Sequence, residues 1–91
     1  MKILFKIENE IPGESQFALL TSLSKDRGTI SAGERKGVKV GMKLTIFDFS
    51  ANRTIGYFIV KQVKQDEAIG HVETLPNENV YVGSKVILKV K

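Results

Sequence analysis

The chain has no cysteine, which removes disulfides and thiolate metal sites at once. A cysteine-free domain is at home in a reducing cytosol and in an oxidising periplasm alike, so the compartment stays open. Long apolar runs are missing too, and nothing approaches the ~20 residues of a membrane-spanning helix. The opening stretch MKILFKIENEIPGE holds one short apolar run, broken by Lys6 and followed by Glu8, Glu10 and Glu14. A secretory signal needs a longer apolar core and a small-residue cleavage site. The expectation is a cytoplasmic protein if this is the whole chain. If it is a piece of a longer secreted protein, the cell envelope or periplasm is expected instead.

Helix signals are nearly absent, since no window sustains apolar residues at i, i+3, i+4 and i+7. Short runs rich in Val, Ile, Phe, Tyr and Thr recur instead, separated by turn residues about every ten positions, which is an all-β pattern. Ninety-one residues, 42% apolar and 26% charged, make one globular domain over 1–91. Its stability is expected in the lower half of the usual ~5–15 kcal/mol.

The runs place strands at 2–7 (Ile3, Phe5 and Ile7 on one face), 29–32, 42–49, 54–65, 68–75 and 80–90. Residues 16–23 admit a strand or one helical turn, and Phe17, Leu19 and Leu23 favour the strand. Turns fall at Pro12-Gly13, at 24–28 with Asp26 and Gly28, at 50–53, at Asp66-Glu67 and at 76–79. Six or seven short strands in a flat sheet would leave open edges and a wet face, and closure into a small barrel removes both. The expected fold is all-β, a small SH3-like barrel with little or no helix, built mainly from 16–91, with 1–15 as an added strand and loop.

Two phrases echo one another, GVKVGMKLTI at 37–46 and NVYVGSKVIL at 79–88, with Gly83 in the place of Gly41 and Lys85 in that of Lys43. They read as two similar barrel corners, with Gly33, Gly37, Gly41, Gly56 and Gly83 as structural turn or bend glycines. Val38 and Val40, and then Val80 and Val82, are expected to point inward.

These phrases also carry a family resemblance. Gly33, Gly37, Val38, Lys39, Gly41 and Met42, then Ile55-Gly56 with Val60 and Val63, then Val82, Gly83 and Val86 resemble small β-barrel modules of bacterial envelope assembly. The similarity is greatest to the C-terminal domain of flagellar assembly protein T, and looser to the barrels of rod shape-determining protein MreC. It spans about residues 17–90 and leaves out 1–15. It implies a non-enzymatic module making protein–protein contacts in an envelope or appendage complex.

Catalytic constellations are scarce. The single histidine, His71, has no evident catalytic partner, and no serine lies in a G-x-S-x-G elbow. Asp66 and Glu67 are adjacent, so nothing nominates the carboxylates of a metal site or of a glycosidase cleft. Gly28 and Gly33 have phosphate-loop spacing, but Glu34-Arg35 stands where Lys-Ser/Thr is needed and no helix follows. No cofactor is expected.

Charge points to a binding role. Residues 25–64 carry nine Lys or Arg against three acids, whereas 65–84 carry four acids and no Lys or Arg. Such a two-signed surface can steer a charged partner, or it can simply be a solvated face. Candidate partner-binding residues are Arg35, Lys36, Lys39 and Lys43 in the loop, with Phe47, Phe49 and Tyr57 in the following hairpin. Another protein is the expected partner. The alternative is an RNA- or DNA-binding barrel whose basic loop tracks phosphates while Phe47, Phe49, Tyr57 and Phe58 stack bases. Against stacking, a chain this short should spend most of those aromatics on its core.

Overall fold

The computed structural model describes residues 16–89. The strand expected at 2–7 lies outside them. Six strands follow in order: β1 (Gln16–Ser24), β2 (Arg27–Ile30), β3 (Lys43–Asp48), β4 (Arg53–Val63), β5 (Ala68–Thr74) and β6 (Lys85–Lys89). All neighbours are antiparallel, and the order β1-β2-β5-β4-β3-β6 closes into a barrel. Every edge is therefore paired, as the composition of short strands demanded. The closed barrel is compatible with the SH3-like expectation. Its one helical piece among the described residues is a 3-10 turn, Glu34–Lys36.

Alternation places one face of each strand inside, where Leu20, Ile30, Ile46, Ile55, Phe58, Val60 and Val86 are essentially buried. Phe58 is the largest fully buried side chain, and its ring packs where Gly70 carries no side chain. Register shifts interrupt the alternation in four of the six strand pairs, and two of them bring further residues to the core. Leu20 faces Ile30 but Ser22 faces Thr29, so Thr21 is extra; Val60 faces Gly70 but Gln62 faces Ile69, so Lys61 is extra. A bulge lets residues on both sides of it turn inward, which is how Leu20 and Leu23, or Val60 and Val63, all meet the core.

The barrel has an approximate two-fold axis. Exchanging β1, β2 and β3 for β4, β5 and β6 leaves the strand order unchanged. Gly28 faces Gly70 and Thr45 faces Ile87, each pair 42 positions apart (28 to 70, 45 to 87), so both pairs lie on the axis.

The two echoing phrases are the equivalent corners. The Lys39 amide donates to Met42 Sδ at 3.1 Å, as the Tyr81 amide donates to Ser84 Oγ at 3.1 Å. The Met42 amide donates to the Lys39 carbonyl at 3.2 Å, and the Ser84 amide to the Tyr81 carbonyl at 2.9 Å. Gly41 then donates to the Val60 carbonyl at 2.9 Å and Gly83 to the Leu20 carbonyl at 2.8 Å. Both glycines sit in the left-handed region, φ 94° and 100°, which a side chain would disfavour.

Several finer expectations are corrected. Residues 80–84 are a corner and not strand, so Val82 is 57% exposed, and Val40 in the matching corner is 64% exposed while Val38 is buried. Strand alternation does not apply within a corner. Gly33 and Gly56 are not turn glycines: their φ values are not positive, and a Cβ at either would run into backbone, at the Lys64 and Glu73 carbonyls respectively. Gly28 belongs to β2; the first hairpin turns instead at Lys25, with φ 56°, and Asp26.

Candidate functional site

The candidate residues fall on two surfaces. Arg35 and Lys36 lie in the 3-10 turn, which is hung on the β4–β5 hairpin by amide bonds from Glu34 to the Lys64 carbonyl and from Arg35 to the Gln65 carbonyl. Arg35 Nε lies 3.6 Å from Asp66 Oδ1, an exposed pair of little energetic weight. Lys39 follows beside Val38 and Val40, over a shallow hollow that reaches Val63.

Lys43, Phe47, Phe49 and Tyr57 belong to the barrel wall formed by β1, β6, β3 and β4. Phe47 lies four residues along β3 from Lys43, or about 13 Å at strand rise. The outward row Phe17, Ile87, Thr45, Tyr57 crosses this wall strand by strand. Above it, Leu19, Lys85 and Phe47 form a second row.

At one end of the wall the aromatic rings associate. Phe47 and Phe49 have centroids 4.8 Å apart at 60°, and Phe17 and Phe49 lie 6.0 Å apart at 48°, both favourable tilted arrangements. Phe17 is 42% exposed and Tyr81 51%. A cleft of about 80 Å³ runs between Phe47, Phe49, Tyr81, Ser84 and Lys85. Asp48 is committed locally, because its Oδ1 accepts the Ser50 and Ala51 amides at 3.0 and 3.2 Å and so shapes the turn that presents Phe49.

Each end of the wall pairs a lysine with a ring. Lys43 Nζ lies 4.5 Å from the Tyr57 centroid, and Lys85 Nζ lies 5.9 Å from that of Phe17. Lys85 is the two-fold counterpart of Lys43, and Phe17 faces Ile87 as Tyr57 faces Thr45. The two pairs are thus equivalent sites on one symmetric wall.

Of the four hairpin aromatics, only Phe58 serves the core; Phe47, Phe49 and Tyr57 are half-buried on the outside. The expectation that most of them would build the core is corrected. The interior is narrow enough for one phenyl ring among aliphatic side chains. Phe17, Lys85 and Tyr81 were not singled out as site residues, and the signal for them was the equivalence of Lys85 with Lys43.

Among the described residues, no group of three or more His, Cys, Asp or Glu could hold a metal ion. Among them too, no helix is long and apolar enough to cross a membrane. Compared with known proteins, the chain matches no family model, no curated protein and no solved structure, so its likeness to envelope assembly barrels rests on the quoted residues alone.

Proposed function

We propose that this barrel is a non-enzymatic binding module that docks an acidic protein partner on its β1-β6-β3-β4 wall. The observation that carries the reading is the association of partly exposed rings, Phe17, Phe47 and Phe49, with lysines at both ends of one rigid wall. Rigid aromatic anchors flanked by basic groups supply desolvated contact area and charge complementarity together. Lys43 and Lys85 take part in no ion pair among the described residues, which leaves both available to carboxylates. The closed barrel offers no free edge, so recognition runs through side chains and not through strand addition. By the resemblance, the setting is a bacterial envelope or appendage complex, and the fold an SH3-like assembly module.

Two charge-reversal variants test the reading by quantitative affinity capture. One is Lys43→Glu with Lys85→Glu on the wall; the other is Arg35→Glu, Lys36→Glu and Lys39→Glu in the loop. The wall variant should lose an acidic protein that wild type retains, while the loop variant keeps it. Loss only in the loop variant would move the contact there. A salt-dependent shift with single-stranded RNA, abolished by either variant, would replace the protein partner with nucleic acid.

A further inference from the structure

The approximate two-fold axis exposes one place where the halves differ. In the first half, the bulge residue Thr21 turns its hydroxyl onto the wall and donates to the Thr29 carbonyl at 3.2 Å. In the second half the bulge residue is Lys61, the counterpart of Thr21. The register there is also displaced: Leu20 faces Ile30, whereas its counterpart Val60 faces Gly70, the counterpart of Gly28. Beside the Lys61 bulge lies a groove of about 330 Å³ lined by Arg27, Lys61, Gln62, Ile69, Gly70 and His71. Bulges commonly re-aim side chains at functional positions.

We propose that this groove binds a small organic phosphate monoester. Three basic side chains reach it from three adjacent strands: Arg27 from β2, its cross-strand partner His71 from β5, and Lys61 from β4. Arg27 and Lys61 make no ion pair among the described residues. Asp26 also lines the groove, with its Oδ2 3.6 Å from His71 Nδ1. Arg27 brings a planar fork suited to phosphate oxygens, and Lys61 a mobile point charge. Ile69 gives an apolar patch for the organic part of the ligand. The volume matches the lower end of small-ligand sites, about 300–1,000 Å³.

The test is a titration of the full chain, followed through its backbone amide resonances, with AMP, inorganic phosphate and adenosine as probes. AMP should shift the amides of 26–28, 61–62 and 69–71; phosphate should shift the same set more weakly, and adenosine should not. Arg27→Gln and Lys61→Thr, the latter placing the residue of the first half's bulge at position 61, should each weaken AMP at least about tenfold while the spectrum stays dispersed. Lys36→Gln should change nothing. If Arg27→Gln fails to fold, Lys61→Thr alone decides. No shift with AMP, or the same affinity in Lys61→Thr, overturns the proposal. A single-stranded oligouridylate that binds the same amides more tightly than AMP also overturns it, making the groove part of a nucleic-acid path.

Discussion

Gly28 and Gly70 face one another across β2 and β5, on the axis that relates the two halves of the barrel. Neither can carry a side chain without displacing core groups. A Cβ at Gly28 would come within 2.9 Å of Leu20 Cδ1, and one at Gly70 would meet the Ile59 carbonyl and the Phe58 ring. The Phe58 phenyl occupies the space that Gly70 leaves.

Gly70→Ala should therefore cost about 3 kcal/mol, since the neighbour that must yield includes backbone. Gly37→Ala tests the opposite case: φ there is 83°, with nothing within 4 Å of the added Cβ. Only backbone strain of about 1–2 kcal/mol is expected. Urea unfolding of both variants would check the order, which fails if Gly37→Ala proves the more damaging.

The corner at Ser84 gives a second prediction. Ser84 is the one buried polar residue of the described region, 4% exposed, and its Oγ accepts the Tyr81 amide. Ser84→Ala leaves that amide without a partner and should cost about 1–2 kcal/mol. In the matching corner Met42→Leu removes only a weak sulfur acceptor, so its unfolding midpoint should stay closer to wild type.

Ion pairs should divide by geometry. Arg53 Nε lies 2.8 Å from Glu78 Oε2, and Arg53 Nη2 adds a bond of 3.2 Å to Oε1, with the Glu78 side chain only 19% exposed. This two-point contact pins the loop after β5 to the start of β4. Glu78→Gln should cost about 1 kcal/mol, a loss that shrinks in high salt. Lys64 and Glu67 are half exposed and 4.0 Å apart, so Lys64→Gln should leave thermal stability unchanged.

Much of the barrel was legible because alternation and turn residues act locally. The strands around Phe47, Val60 and Val72 fall where β-branched and aromatic residues cluster, and the equivalence of Gly41 with Gly83 is visible in the two phrases themselves. What escaped depends on register. Ala18 and Leu20 face inward while Phe17 and Leu19 face out, because β1 pairs with β6 in one register and bulges at Thr21. Read without that register, Phe17 belongs to the core. The same holds for Val82, whose exposure follows from a corner that resembles a strand in composition.

The candidate site was half legible for a related reason. Lys43, Phe47, Phe49 and Tyr57 are near in sequence and share one wall, so a local reading found them. Phe17 and Lys85 join that wall only through closure of β1 and β6 onto β3, contacts made across long stretches of chain.

The wall is tested most directly by calorimetric titration of the captured acidic partner against wild type and against Phe17→Ala with Phe49→Ala. Both rings lie outside the buried core, so the variant should remain folded, which its melting curve would show. The account predicts at least a tenfold loss of affinity, or about 1.4 kcal/mol. An unchanged affinity in the folded variant would contradict it.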